Sequence, residues 1–220
     1  MSDAIVAHTA KVGFRTNLIS ILKKICCCFY FSQSTKPQKI DLGPPIPGKK
    51  TLVLDLDETL VHSSFYPVCN YDFIAKFKVG ENRYSSYVLK RPGIEYFLEF
   101  VKEKFEVVIF TASVKEYADS VLDVIAPWIP PSRRFYRQHC TISNGLFIKD
   151  LSLFNRPLSS IVIVDNSEFS FSLHRSNAIL ISTWIGEKKD KQLDTVVGPL
   201  LSKLIDAEDV RTVLAKHKLE

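Results

Sequence analysis

Thr51-Leu-Val-Leu-Asp-Leu-Asp-Glu-Thr-Leu60 is the stretch on which the fold turns. Its apolar run Leu52–Leu54 reads as a buried strand that ends on two carboxylates, Asp55 and Asp57, two positions apart. An extended chain keeps i and i+2 on one face. Both acids therefore meet at the carboxyl end of the strand, where open α/β sheets build their ligand sites. Such a pair holds a divalent cation and supplies a nucleophile and a proton donor. The competing reading is a polar turn with Asp57 capping a helix. A calcium loop starting at Asp55 is excluded, because its sixth and twelfth places need Gly and Glu and hold Leu60 and Tyr66.

Outward from this point, short apolar runs alternate with segments of helical period. Tyr71–Val79 and Tyr84–Leu89 flank Gly80-Glu81-Asn82 and read as a hairpin. Arg91-Pro92-Gly93 opens a helix in which Ile94, Phe97, Leu98 and Val101 recur at helical spacing. Val107–Phe110, Ile161–Val164 and Ala178–Ser182 read as strands, and Lys115–Ile125, Lys191–Ile205 and Ala207–His217 as helices. A Pro- and Arg-rich excursion from Pro127 to Leu146 interrupts the alternation. The expectation is an α/β fold: a central parallel sheet with helices on both faces, a small β-hairpin insertion and no large cap.

The 220-residue chain is 46% hydrophobic and 24% charged, enough to bury a core without staples. Five Cys, with no C-x-x-C spacing, indicate neither a disulfide frame nor a zinc site, and they fit a reducing, intracellular compartment. The net charge of +5 is unevenly placed. Residues 1–50 carry eight basic side chains against Asp3 and Asp41, which leaves the remainder one charge negative. Direct nucleic-acid binding through bulk charge is not expected. Leu18–Phe31 is apolar but short, and Lys23 and Lys24 interrupt it. It makes a poor spanning helix against the ~20 apolar residues required. Ser2 follows Met1, so N-myristoylation is not expected. Cys26, Cys27 and Cys28 stand among aromatic and cationic neighbours, as S-acylation sites of a membrane anchor would. A disordered tail or a partner-binding helix is the plain alternative. Residues 32–48 contain Pro44-Pro45-Ile46-Pro47-Gly48 and read as a linker. The expected organisation is a basic Cys-containing segment 1–31, the linker 32–48 and one domain over 49–220.

More polar groups stand just beyond apolar strands. Val107-Val-Ile-Phe110 runs into Thr111-Ala-Ser113, and Ile161-Val-Ile-Val164 runs into Asp165-Asn166-Ser167; Lys149 lies between them in sequence. Singly, each has a dull explanation: a helix cap, a surface charge, a turn. At corresponding ends of parallel strands they make a phosphate site. A carboxylate attacking a phosphate ester meets an anion, and a divalent cation and a lysine neutralise it. A second acid protonates the leaving oxygen and then takes a proton from water. The short excursions leave an open site that suits a phosphoprotein segment. Arg133, Arg134 and Arg137 would favour an acidic or phosphorylated partner, with a solvated basic loop as the alternative.

Asp55-x-Asp57-x-Thr59, Thr111, Lys149 and Asp165-Asn166 resemble the four motifs of the haloacid dehalogenase superfamily. Leu54–Ser64, Leu89-Lys-Arg-Pro92, Phe110-Thr-Ala-Ser113, Tyr136-Arg-Gln-His-Cys140, Lys149-Asp-Leu-Ser152 and Val164-Asp-Asn-Ser167 resemble the small C-terminal-domain phosphatases, which carry the FCP homology domain. The likeness covers nearly everything from Lys49 onward. Tyr136–Cys140 and Leu158–Val162 look closer to the Dullard-type nuclear-envelope branch. Phe65 and the short stretch to Tyr71 look closer to the RNA polymerase II branch.

The resemblance implies a Rossmann-like haloacid dehalogenase fold. It also implies a Mg2+-dependent protein serine/threonine phosphatase acting through an aspartyl-phosphate, on phosphoserine next to proline as in the RNA polymerase II C-terminal tail. A Dullard-like phosphatase of a membrane-associated or signalling phosphoprotein is the alternative, ahead of a small-molecule phosphatase or a non-catalytic phosphopeptide-binding module. The implied location is the nucleus, the nuclear envelope or a palmitoylated membrane anchor. Asp55 would be nucleophile and Mg2+ ligand, and Asp57 acid/base and ligand through its carbonyl. Asn166 would be the remaining protein ligand, and Asp165 would support the metal's water shell. Thr111 and Lys149 would hold phosphate. Thr59 and Arg137 would bind substrate, with a proline-accepting pocket of Phe65, Phe77, Val79, Val114 and Tyr117; for those five, core packing is the alternative. The family continues its last motif as Asn-Ser-Pro, whereas here Glu168 follows Ser167 and would add a negative charge near the metal.

Overall fold

A computed structural model describes residues 38–217. The expected Cys-containing segment 1–31 and the start of the linker lie outside the described residues. Among the described residues no helix is long and apolar enough to cross a membrane. The chain forms β1 (Lys50–Leu54), β2 (Val61–Ser64), β3 (Phe73–Val79), β4 (Asn82–Lys90), α1 (Ile94–Lys104), β5 (Phe105–Phe110), α2 (Lys115–Ile125), β6 (Arg134–Phe135), β7 (Thr141–Ser143), β8 (Leu146–Ile148), β9 (Ile161–Asp165), β10 (Ala178–Leu180), α3 (Gly198–Leu204) and α4 (Val210–His217).

Every residue of β5 and β9 is buried, as is β1 from Thr51 onward. Strands buried along almost their whole length have cover on both faces, which is the condition for a parallel sheet. They form one, in the order β10-β9-β1-β5-β6. From β1 the chain first builds outward through β5 and β6, then returns to the other side for β9 and β10. The strand order therefore reverses at β1, and the crevice at its carboxyl end is the switch point where such sheets bind ligands. Leu54 is in register with Ile109 and with Val164. That alignment sets Asp165 beside Asp55 and Thr111 one residue further along on the other side.

The insertion after β1 is a three-stranded antiparallel sheet, β2-β4-β3, rather than a hairpin alone. β2, Val-His-Ser-Ser, is short and half polar, so its pattern was masked by the motif before it. β3 and β4 join through Gly80-Glu81 between the paired Val79 and Asn82, and Gly80 supplies the left-handed φ of 58° that the tight turn needs. The inner face of this sheet packs on α2 through Phe77 and Tyr117, whose ring centroids are 5.5 Å apart.

α1 buries Ile94, Phe97, Leu98 and Val101, the stripe expected from their spacing. The segment Lys191–Ile205, expected as one helix, is helical without a break over residues 192–204, with a wide turn over Leu193–Val197 that runs into α3. Pro199 has no amide hydrogen, and its ring presses on the carbonyl four residues back. The wide turn, closed by Gly198 N–H on Leu193 O, relieves that contact. α4 starts at Val210, later than expected, where Asp209 accepts the Arg211 N–H. The packed body also reaches back beyond Lys49, the expected start. Ile40 donates to Leu153 O at 2.7 Å and accepts from Asn155 N, and Ile40 and Leu42 are buried in the core with Phe154. Two apolar residues among Lys, Asp and Pro carry no period, so the sequence shows no sign of this strap.

Candidate active site

β9 fixes the end of β1: Asp55 N–H donates to Val164 O at 3.0 Å. The chain then turns through Glu58, a non-glycine residue at a left-handed φ of 58°. Such a conformation costs of order 1–3 kcal/mol and persists where the surroundings enforce it. Here Glu58 N–H binds Val61 O at 2.7 Å, and Leu60 N–H binds Leu56 O. The turn leads into β2, so Asp57 caps no helix. It also folds Thr59 back onto Asp55, with Oγ1 2.9 Å from Asp55 Oδ2.

Lys149 is buried behind these groups and donates to Asp55 Oδ1 at 2.5 Å and to Asp165 Oδ2 at 2.6 Å. Burial disfavours its charge, but the Asp165 and Asp55 carboxylates outweigh that and raise its pKa. Burial pushes the Asp165 carboxyl up to about 6; the Asp55 charge adds to this and Lys149 opposes it.

Asp57 stands in different company. Its Oδ2 accepts from Ser113 Oγ at 2.6 Å and its Oδ1 from the Tyr117 hydroxyl at 2.6 Å, while Thr111 Oγ1 lies 3.4 Å away. Burial, then the Glu58 charge and more weakly that of Asp55, push its pKa up to about 7 against the hydrogen bonds from Ser113 and Tyr117. Two carboxylates at one strand end thus differ in their partners. Asp55 faces an ammonium. Asp57 faces hydroxyls and keeps a proton in a large share of molecules near neutrality.

Asn166 completes the cluster. Its Nδ2 donates to Thr183 Oγ1 at 3.1 Å, which turns Oδ1 to within 3.2 Å of Thr59 Oγ1. The single Thr59 hydroxyl proton is therefore shared by two acceptors, Asp55 Oδ2 and Asn166 Oδ1. Two hard oxygens converging on one proton suit a cation set between them. Among the described residues no three His, Cys, Asp or Glu side chains stand in metal-holding geometry. The ligand set that the resemblance implies is the Asp55 carboxylate, the Asn166 amide and the Asp57 carbonyl. One carboxylate, neutral oxygens and retained water are what Mg2+ accepts, so these residues fit it.

The expected substrate groups divide. Phe65, Val79 and Val114 are half-buried and Phe77 is buried, and the Phe65 and Phe77 centroids are 6.4 Å apart. Tyr84, not singled out from sequence, stacks on Phe77 at 5.6 Å. Tyr117 is 0% exposed, so it offers a substrate no surface; its hydroxyl holds Asp57 instead. Arg137 donates to Ala112 O at 2.7 Å and stacks on Phe147 beside the end of β5. Arg133 and Arg134, expected to attract an acidic partner, pair within the chain: half-buried Arg133 with Glu106, and buried Arg134 with Asp119 and Asp123. Glu168 is exposed and lies 3.6 Å from Arg175 at the surface, where its charge is screened.

Sequence reading missed the roles of Ser113, Glu58 and Ser63, whose Oγ lies 2.7 Å from the Tyr117 hydroxyl. For Ser113 a signal existed, since it stands in the Thr111-Ala-Ser113 run just beyond β5.

Residues 50–211 match the family model of NLI interacting factor-like phosphatases. The chain is 47% identical over 182 residues to a probable C-terminal domain small phosphatase of Dictyostelium discoideum, covering 83% of this chain and 59% of that protein. It is 41% identical over 170 residues to carboxy-terminal domain RNA polymerase II polypeptide A small phosphatase 1 of Homo sapiens, covering 77% of this chain and 65% of that one. The chain thus spans less than two thirds of the length of either relative. Among solved structures, the fission yeast RNA polymerase II CTD phosphatase Fcp1 bound to beryllium fluoride has the same fold. Its TM-score is 0.54 at 22% identity, over 77% of this chain and 54% of that one.

Proposed function

The chain belongs to the NLI interacting factor-like phosphatases, and from that membership we propose that it is a Mg2+-dependent protein serine/threonine phosphatase working through an aspartyl-phosphate on Asp55. The observation that carries the reading is the unlike company of the two acids: Lys149 on Asp55, hydroxyls and a raised pKa on Asp57.

Asp55 forms a new bond to phosphorus as the ester P–O bond breaks, and Asp57 gives its proton to the departing serine oxygen. Water then attacks the acyl-phosphate and passes a proton to Asp57, which frees phosphate and restores Asp55. Lys149 and Thr111 bind the phosphoryl oxygens, and Asp165 holds Lys149 in place. Mg2+, held by Asp55, the Asp57 carbonyl and Asn166, would offset negative charge on the phosphoryl group.

The proposed substrate is phosphoserine beside proline. Support comes from the relative named for the RNA polymerase II carboxy-terminal domain and from the aromatic cluster around Phe77, which would take the proline ring. Arg137, at the end of β5, would read a second phosphate or acidic group. The reading places the protein inside the cell, in the nucleus or at a membrane through Cys26, Cys27 and Cys28.

Beryllofluoride with Mg2+ is expected to form an adduct on Asp55 and to protect the fold against heat. EDTA is expected to abolish turnover and Mg2+ to restore it. In a panel of phosphopeptides and sugar phosphates, phosphoserine–proline peptides are expected to react fastest. Much faster turnover of sugar phosphates would replace this reading with a small-molecule phosphatase.

A further inference from the structure

Arg91 is 0% exposed and heads the largest fully buried side chains among the described residues. Burying a guanidinium is expensive unless every donor is met. All five are. Nε and Nη2 form a fork on Asp190 at 2.8 and 2.9 Å. Nη1 donates to Thr59 O and to Ser182 O, each at 3.1 Å, and Nη2 to Ser182 Oγ at 3.1 Å.

The segments gripped are the two that flank the Asn166 amide. Thr59 carries the hydroxyl shared by Asp55 Oδ2 and Asn166 Oδ1. Ser182 precedes Thr183, whose hydroxyl accepts from Asn166 Nδ2. Asp190 is itself locked in a ring: its Oδ1 accepts the Gln192 N–H at 3.1 Å, and Gln192 Oε1 accepts the Ser182 N–H at 3.0 Å. The Arg91 backbone adds an N–H bond to Leu60 O at 3.0 Å. One guanidinium therefore fixes the turn after β1 against the turn after β10. Asp55 and Asn166 follow adjacent strands, and this bridge ties together the two turns whose Thr59 and Thr183 hydroxyls contact the Asn166 amide.

We propose that Arg91, oriented by Asp190, is a positioning residue that sets the separation between the Asp55 carboxylate and the Asn166 amide oxygen and so the affinity for Mg2+. The inference rests on the proposed metal role of those two residues. Lysine would keep the charge but not the planar fork, so it cannot hold Thr59, Ser182 and Asp190 together. Groups that orient metal ligands from behind change metal affinity by about 10- to 100-fold when altered.

The test titrates Mg2+ alone into the full chain by calorimetry, without substrate, for the wild type, Arg91→Lys, Asp190→Asn and Arg156→Lys. Arg156 makes a buried fork on Glu106 at the far end of the sheet and serves as the control for loss of a buried ion pair. Arg91→Lys and Asp190→Asn are expected to raise the Mg2+ Kd about ten-fold or more. Arg156→Lys is expected to lower Tm with its Mg2+ Kd unchanged. Wild-type-like Mg2+ Kd values in both Arg91→Lys and Asp190→Asn overturn the proposal, as does an equal weakening in Arg156→Lys. If Arg91→Lys does not fold, the isosteric Asp190→Asn decides alone. Failure of the wild type to bind Mg2+ would instead sink the metal reading of the site, and this inference with it.

Discussion

The two ends of the central sheet handle buried charge in opposite ways. At the amino ends, Glu106 of β5 is met by the Arg156 fork at 2.7 and 2.8 Å, by Arg133 at 3.0 Å and by the Thr51 hydroxyl of β1 at 2.7 Å. Burial would raise its pKa, but the hydrogen bonds from Arg156 and Thr51 and the two arginine charges hold it below the ordinary carboxylate value. At the carboxyl ends, Asp55, Asp57, Glu58 and Asp165 are buried; Lys149 pairs with Asp55 and Asp165, and His62 lies 3.3 Å from Glu58. There the carboxyls of Asp57 and Asp165 are pushed up. The amino end is electrostatically complete and serves stability. The carboxyl end carries an unbalanced excess of acid, a departure from local consistency of the kind that marks functional sites.

The contrast breaks most sharply on Asp55. Asp55→Asn removes the proposed nucleophile and one excess negative charge while keeping the shape. Turnover of a phosphopeptide is expected to fall by about 10^4-fold or more, with a Tm no lower than wild type; calorimetry and steady-state kinetics check both. At the other end the balance of effects reverses. Glu106→Gln leaves two arginines short of a partner in a buried site and is expected to cost about 3 kcal/mol of stability. Denaturant unfolding measures that loss, while kcat/KM is expected to stay unchanged.

The two ends should also respond to pH with opposite sign. A carboxyl raised to about 7 from an ordinary 3.8 holds a proton in the folded chain that the unfolded chain has released. Between those values stability falls as pH rises. Glu106, lowered from 4.5, contributes stability above that value and loses it as pH falls through its folded pKa. Thermal melts in EDTA are expected to show a Tm declining from pH 5 to pH 8, flattened by Asp57→Asn. Below pH 4.5 Tm is expected to drop, less so in Glu106→Gln. The smallest effect is reserved for Tyr117→Phe. It removes one hydrogen bond that lowers the Asp57 pKa, so the alkaline limb of kcat/KM against pH is expected to move upward, at a stability cost of about 1 kcal/mol.

Much of this was legible because it is local. A β-branched run ending in acids two apart defines a strand, its face and its carboxyl end without reference to anything distant. The same holds for Phe110-Thr111 and Val164-Asp165. Other features were not legible, because their partners lie far away in sequence. Tyr117 looked like pocket lining, and only the packing of α2 on β3 puts its hydroxyl on Asp57. Arg133 and Arg134 looked like a basic loop until Glu106, Asp119 and Asp123 came to meet them. Ile40 and Leu42 had no period to reveal them.

By itself the sequence determined the buried strands β1, β5, β9 and β10, the helices α1 and α2 between them, and the acids at the end of β1. Only the tertiary structure decided which acid faces a cation and which faces hydroxyls, and that Arg91 binds the turns carrying Thr59 and Ser182. Charge and hydrogen bonding act through space within a few ångströms, and residues as far apart as 55 and 149, or 91 and 190, come within that range only when the sheet closes.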